Sequence, residues 1–199
     1  IPISDYGHEL EYIIQTDALS NIYSEAISNS FNNGQNAVSY PDTDISNQLK
    51  TVARLISGGL ESKVYMVKLS GFDTHFGQNQ AENDILGDHN DLLTKLSSAV
   101  AAFMNDLSAM NLKNDVVGLT YSEFGRKAAE NGSLGTDHGE TAPMFVFGAP
   151  VKGGVSGLNP DLNEANENNG YQIQTVQFDY RDTLGTLLQD YLGADNLAL

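Results

Sequence analysis

The sequence has no cysteine and no tryptophan, and it has few basic residues. Without cysteine the protein can have no disulfide, no thiolate metal ligand and no cysteine nucleophile. Lys and Arg total 10 against 26 Asp and Glu, which gives a formal net charge of −16. A chain this acidic repels phosphate backbones and anionic lipid headgroups. The charge therefore argues against nucleic acid as a partner and against binding to an anionic membrane surface.

Long hydrophobic runs are also missing. No apolar run approaches the roughly 20 residues that cross a bilayer, so we predict no membrane span. The start of the chain has no basic segment followed by an apolar one, and we expect any signal peptide to have been removed. The chain opens at Ile1. We expect residues 1–199 to form a single α/β domain, the C-terminal part of a longer chain whose preceding part completes the fold.

Apolar residues recur at helical spacing in four segments. The pattern predicts helices over residues 9–31, 45–57, 84–111 and 182–192. Thr43 or Asp44 is in place to cap the second helix, and Gly58 with Gly59 is in place to end it. The third segment keeps its period over more than five turns and is the strongest helix prediction in the chain.

Short apolar runs between these segments predict strands over residues 63–69, 115–121 and 144–148, and a shorter one over residues 175–178. The order strand, long helix, strand indicates a βαβ unit with a right-handed crossover. Runs this continuously apolar are typical of parallel sheets covered on both faces. We therefore predict an α/β protein, a three-layer α/β/α sandwich with a mostly parallel sheet. Residues 122–141 are predicted to be a polar loop.

Three polar clusters follow the predicted strands. They are the segments 71–75 (GFDTH), 122–126 (SEFGR) and 135–139 (GTDHG). In open α/β sheets, ligands bind outside the carboxyl ends of the strands. The three clusters are therefore expected to share one site.

Two carboxylates and two imidazoles in these clusters form a plausible ligand set for a divalent metal: Asp73, His75, Asp137 and His138. Carboxylate with imidazole suits Zn, Mn or Fe, and it tolerates Mg or Ca if further oxygens join. The structural alternative is that the Gly-flanked Asp137-His138 pair only forms a turn with a helix cap.

Glu123 and Arg126 are the candidate catalytic residues. Arg126 could orient an anionic substrate through bidentate hydrogen bonds. The alternative is that the two side chains form an ion pair that braces the loop. Thr74 is a conceivable nucleophile by its location. Residues 131–133 (NGS) match the short acceptor pattern for N-glycosylation.

Taken in order, these motifs resemble the C-terminal half of the domain-of-unknown-function 1501 family. The resemblance covers roughly residues 48–193. It rests on GFDTH, a long helix, SEFGR, GTDHG, MFVFG, VKGG and FDYRDTLGTLLQDYLG. Several motifs in one order are far more specific than any single one. The family consists of bacterial exported proteins related to the alkaline phosphatase and sulfatase superfamily.

The resemblance implies a partial alkaline-phosphatase-like sandwich, with a divalent-metal site at the carboxyl edge of its sheet. In that superfamily Asp and His residues hold two metals, and a Ser or Thr attacks phosphate or sulfate esters. Asp137-His138 resembles the superfamily's Asp-His metal pair, and Asp73 and His75 resemble its preceding ligands. The first acidic ligand and the nucleophile are expected upstream of this sequence. No histidine follows His138, so a late histidine ligand is missing.

Three functions remain open from the sequence. The first is an exported metal-dependent hydrolase of small anionic esters, periplasmic or at the cell surface. The second is a non-catalytic binding or assembly component that uses the same fold and meets a protein partner at the cell surface. The third is a structural calcium site in which the carboxylates only hold loops together. Fold analogy favours hydrolysis without establishing it, whereas the partial ligand set favours the non-catalytic component. These two functions are weighted equally, and the calcium site is placed below both.

Overall fold

The computed structural model describes residues 3–83 and 85–195. Their helices and short strands follow the order α1 Asp5–Asn33, α2 Asp44–Ser57, α3 Asp88–Ala109, β1 Gly118–Leu119, β2 Gly125–Glu130, β3 Thr136–Gly139, β4 Val146–Phe147 and α4 Tyr180–Thr186. Two 3₁₀ turns, Leu162–Glu164 and Glu167–Asn169, precede α4, and one π turn, Leu187–Tyr191, follows it. None of the helices in the described ranges combines the length and the apolar character that crossing a membrane requires.

The chain divides into two compact units. One is formed by the chain up to Val67 together with Ser98–Leu112, and the other by Lys68–Ser97 together with the chain from Lys113 onward. The prediction of a single α/β domain stays a prediction, as does its place in a longer chain.

The first unit is helical, and its helix ends follow from local chemistry. Ser4 caps α1 by accepting a hydrogen bond from the backbone N–H of Gly7, and Thr43 caps α2 through the N–H of Ser46. The buried apolar residues of this unit come from α2 and the second half of α3: Ile45, Leu49, Ala53, Ala99, Ala102, Phe103 and Leu107. Their spacing is that of amphipathic helices, which confirms the predicted second and third helices.

A buried carboxylate fixes the loop after α1. Asp106 on α3 is fully buried and accepts hydrogen bonds from the backbone N–H groups of Ala37 and Val38 at 2.6 and 3.3 Å. Its other oxygen accepts from Asn36 Nδ2 and from the Tyr40 hydroxyl, both at 2.8 Å. Burial and this bond to Asp106 raise the pKa of Tyr40 far above its usual value. The carboxylate thus satisfies four donors that the loop cannot satisfy by itself.

The second unit contains two small antiparallel sheets. β1 pairs with β4, with Gly118 opposite Phe147, and β2 pairs with β3 as a hairpin, with Arg126 opposite His138. The strands predicted over residues 115–121 and 144–148 are present as β1 and β4, although each is only two residues long. The β2–β3 hairpin lies within residues 122–141, where a loop was predicted, so that prediction was wrong.

The segment 63–69 is not part of either sheet, and neither is 175–178. Apolar side chains at the first of these segments remain exposed, with Val64 70% and Met66 76% accessible. The three-layer α/β/α sandwich with a mostly parallel sheet is neither confirmed nor ruled out by two small antiparallel sheets, and it stays a prediction.

Candidate metal centre

The site lies in the second unit, where the loop 71–75 meets the β2–β3 hairpin. The carbonyl oxygen of Thr74 accepts from Thr136 N at 3.4 Å, and the carbonyl of His75 accepts from Asn131 Nδ2 at 2.8 Å. The Gln78 amide oxygen accepts from the hydroxyls of Thr74 and Thr136, at 3.1 and 2.7 Å. Main-chain and amide contacts therefore hold the GFDTH loop against the GTDHG strand.

Glycine makes this approach possible at Gly135. A Cβ atom built on that residue would lie 2.3 Å from the carbonyl carbon and oxygen of His75. No side chain fits such a gap, so only glycine allows the hairpin backbone this close to the loop. The first glycine of the GTDHG motif therefore has a structural explanation.

Three of the predicted ligands come together here. Asp73 Oδ1 lies 2.7 Å from His138 Nε2 and 3.1 Å from His75 Nε2. One donor atom from each of the three residues lies within 4.8 Å of the others. Two ligand atoms bound tetrahedrally to one Zn²⁺ lie about 3.4 Å apart, so the three donor atoms are near enough to converge on a single ion after small movements. All three side chains are between 44% and 59% accessible, which leaves the group open to a small solute.

Asp137 is adjacent but points at the other side of His75. Its Oδ1 lies 3.2 Å from His75 Nδ1 and accepts from Asn131 Nδ2 at 3.3 Å, while its Oδ2 lies 3.5 Å from Lys127 Nζ. Among the described residues, the metal-type cluster comprises Asp73, His75 and His138 without it. Asp137 as a direct ligand stays a prediction.

Both site carboxylates are stabilised as anions. The hydrogen bond from His138 lowers the pKa of Asp73, and His75 and Arg126 act in the same direction. The hydrogen bond from Asn131 lowers the pKa of Asp137, with His75 and Lys127 contributing. Metal ligands must be deprotonated to bind, so these contacts keep Asp73 in its binding form.

Arg126 is held by the protein itself. Its guanidinium donates to the carbonyl oxygens of Thr136 and Phe72 and to Asp73 Oδ1, the last at 3.1 Å, and only 20% of the side chain is accessible. The carboxylate partner of Arg126 is therefore Asp73. The alternative drawn from the sequence, an ion pair between Arg126 and Glu123, is not the contact that forms. These contacts favour a positioning role for Arg126. Glu123 is exposed just before β2, and its catalytic role stays a prediction.

Thr74 and Asn131 have structural partners that the sequence did not reveal. The Thr74 side chain is buried, with 3% of the residue accessible, and its hydroxyl donates to Gln78. The Asn131 amide nitrogen, the atom that glycosylation would modify, donates to His75 and Asp137. Neither contact favours a nucleophile at position 74 or a glycan at position 131.

Sequence reasoning also missed Phe124, whose ring stacks on His138. The ring centroids are 3.9 Å apart with an interplanar angle of 7°, and the Arg126 guanidinium lies 4.9 Å from the centroid of the Phe124 ring. Phe124 lies inside the SEFGR motif, two residues before Arg126, and an aromatic residue between polar ones was the only available signal. The stack fixes the plane of the His138 ring.

The family described as "Protein of unknown function (DUF1501)" matches residues 18–193. No curated protein and no solved structure matches the chain.

Proposed function

The chain belongs to the DUF1501 family, and from this premise we propose that it is an exported, metal-dependent hydrolase of small anionic esters. The observation that carries the proposal is the convergence of Asp73, His75 and His138 on one point of an accessible surface. Two imidazoles and one carboxylate are a ligand set of catalytic metal sites, in which positions remain open for substrate. Phosphatase- or sulfatase-like chemistry, the alkaline-phosphatase-like fold and the periplasmic or cell-surface location are parts of this proposal.

The nitrogen ligands favour Zn, Mn or Fe as the ion. Calcium and magnesium prefer oxygen ligands, and two of the three donors here are imidazole nitrogens. This donor set argues against the purely structural calcium site. A bound divalent ion would supply positive charge that polarises the ester and activates the attacking oxygen nucleophile.

The charges around the site favour an anionic substrate. The whole chain has 10 Lys and Arg residues. Two of them, Arg126 and Lys127, lie at the site, where Arg126 contacts Asp73 and Lys127 contacts Asp137. Because each of these cations pairs with one site carboxylate, the charge of a bound divalent ion would remain uncompensated and would attract an anion towards the site. Arg126 and Phe124 would hold Asp73 and His138 close together, so that only small movements of the ligand atoms would be needed for both to bind one ion.

The test is metal content and ester hydrolysis of the purified protein and of an Asp73→Asn, His138→Ala variant. We expect the wild-type protein to hold about one equivalent of Zn, Mn or Fe and to hydrolyse p-nitrophenyl phosphate or sulfate. The variant should lose both properties. His8→Ala, which changes an exposed histidine on α1, should keep both. Equal metal content and equal activity in all three proteins would refute the proposal.

A second function, a non-catalytic binding or assembly component at the cell surface, is favoured by the surface of α1. Large apolar side chains of this helix are exposed, among them Tyr12, Ile13, Leu19, Ile22 and Tyr23. Large apolar side chains exposed in this number on one helix are more common at interaction surfaces than on other surfaces. A larger species in analytical ultracentrifugation that a Leu19→Glu, Ile22→Glu variant abolishes would favour assembly. If the protein forms this larger species and also contains no metal and hydrolyses no ester, assembly would be favoured over hydrolysis.

A further inference from the structure

Both ring nitrogens of His75 face carboxylate oxygens. Nδ1 lies 3.2 Å from Asp137 Oδ1, and Nε2 lies 3.1 Å from Asp73 Oδ1. An ionised carboxylate only accepts hydrogen bonds, and a neutral imidazole has a single N–H to donate. One of the two contacts therefore requires something other than a proton from neutral His75. A cation between Nε2 and Asp73 satisfies this requirement, because both atoms then use their lone pairs.

Asp137 is the carboxylate that is held in place as an acceptor. Asn131 donates to its Oδ1 at 3.3 Å, and Lys127 lies 3.5 Å from its Oδ2. Asn131 also donates to the carbonyl oxygen of His75 at 2.8 Å, so one amide group sets the separation between Asp137 and the His75 backbone. With Asp137 fixed, the proton of neutral His75 belongs on Nδ1. The Nε2 lone pair then points to the side on which Asp73 and His138 lie.

We propose that Asp137 is a positioning residue that fixes His75 as its Nδ1–H tautomer and does not itself bind the ion. The inference rests on the proposed metal site. It goes further because it assigns Asp137, the fourth predicted ligand, to the residues that orient the ligands by hydrogen bonding. Lys127 contributes to this arrangement, because its charge attracts Asp137 Oδ2. This attraction opposes a rotation of the Asp137 carboxylate towards the ion. The described ligand atoms then serve one ion and not a pair of ions.

Hydrogen bonding by a second carboxylate is a common way to orient a metal-bound histidine. Such partners set the tautomer and the ring plane, and losing one typically costs about 10- to 100-fold in metal affinity. At His138 the ring plane is set differently, by the stacked Phe124. The two imidazoles of the site are thus oriented by two different kinds of contact, a hydrogen bond and an aromatic stack.

The experiment compares wild-type protein with Asp137→Asn and with Asp182→Asn, a matched loss of one negative charge on the exposed first turn of α4. Cobalt(II) binding is measured by visible absorption and by competition with a chelator. Asp137→Asn is expected to bind about one equivalent with about 10- to 100-fold lower affinity and a visible band of unchanged shape. Asp182→Asn is expected to match the wild-type protein. Circular dichroism confirms that each variant is folded.

A second readout is the tautomer of His75 in zinc-loaded protein, observed by ¹H–¹⁵N NMR of the imidazole nitrogens. The wild-type spectrum should show His75 protonated at Nδ1. The Asp137→Asn spectrum should show a weaker Nδ1–H signal or a mixture of the two tautomers. A merely structural role for Asp137 would leave this spectrum unchanged.

Three results separate the possible failures. A cobalt band of altered shape in Asp137→Asn would identify Asp137 as a ligand, which overturns the inference and leaves the metal site standing. Wild-type affinity and an unchanged His75 tautomer in that variant would also overturn it. Failure of the wild-type protein to bind cobalt(II) or zinc(II) would instead overturn the proposed metal site on which the inference depends.

Discussion

At the scale of single residues, the buried Asp106 carboxylate is expected to stabilise the helical unit through its hydrogen bonds. Four donors converge on its two oxygens, and the residue has no solvent access. Asp106→Asn would replace one oxygen by an amide that faces donors, and a buried unsatisfied polar group costs about 1–3 kcal/mol. We expect urea unfolding to show a loss of about 2–3 kcal/mol.

Tyr40→Phe is the graded control for this prediction, because it removes one donor and leaves the carboxylate. Its expected cost is about 1 kcal/mol. Equal stability of Asp106→Asn and the wild-type protein would show that the carboxylate does not hold the loop.

Asp179 provides a pH-dependent contact at the start of α4. It caps the helix by accepting from Arg181 N at 2.9 Å, and its bonds with the Arg181 side chain lower its pKa from 3.8 to about 2. Because the folded pKa is the lower one, the contact stabilises the fold above pH 3.8, and this contribution is lost as the pH falls towards about 2. A carboxyl ¹³C NMR titration should give a midpoint near 2 in the wild-type protein.

Two variants test the cause of this shift. Arg181→Met should return the midpoint towards the ordinary value of 3.8. Asp179→Asn should keep the helix cap and remove the pH dependence, since asparagine also caps helices but does not titrate. A wild-type midpoint close to 3.8 would contradict the prediction.

At the scale of elements, Gly135 decides whether the hairpin can reach the loop. Gly135→Ala would place a methyl group 2.3 Å from the His75 carbonyl, which forces the two backbones apart. We expect a loss of stability of about 1–3 kcal/mol. We also expect metal affinity to fall about tenfold or more although every ligand is retained, because ligands depend on their surroundings for orientation. Thermal unfolding and cobalt(II) titration measure the two effects.

Gly153→Ala is the matched control, because a Cβ atom there would meet nothing within 4 Å and its backbone needs no positive φ. It should leave both quantities at their wild-type values. A Gly135→Ala protein that binds metal normally would show that the close approach is not needed for the site.

The predicted helices were largely correct, and α2 and α3 in particular have a clear apolar period of their own. The first, predicted over residues 9–31, spans Asp5–Asn33, and the second, predicted over 45–57, spans Asp44–Ser57. The hairpin was missed because β2, with the sequence GRKAAE, has neither alternating nor continuous apolar residues. Its pairing depends on contacts with Gln78 and the 71–75 loop, which lie far away in the sequence.

At the scale of the whole molecule, the sequence was a good guide to which residues lie close together. It was a poorer guide to the role of each residue at the site. Asp73, His75 and His138 come together as expected, from two of the three polar clusters, 71–75 and 135–139. Asp137 and His138 are neighbours in β3, where successive side chains point to opposite faces, and the sequence had predicted a loop there. The burial of Thr74 likewise follows from the partner Gln78 and not from its motif.

The charge of the molecule is distributed unevenly along the chain. No Lys or Arg occurs before Lys50, whereas Arg126 and Lys127 are consecutive at the proposed site. Among its charged residues the first segment is therefore purely acidic, apart from His8, whereas Arg126 and Lys127 of β2 each pair with a site carboxylate. This distribution was visible in the sequence, although its relation to the site required the structure.

The stack of Phe124 on His138 also makes the site visible to fluorescence. The chain has no tryptophan, so a Phe124→Trp protein would contain a single indole, placed against a ring of the proposed metal centre. Excited at the red edge of its absorption, that indole would emit without background from the tyrosines. Cobalt(II), which quenches nearby fluorophores, would lower the fluorescence intensity of this indole on binding, whereas zinc(II) would not. The aromatic contact that orients His138 would thus also allow the occupancy of the metal site to be measured by fluorescence, at micromolar protein and without an added dye.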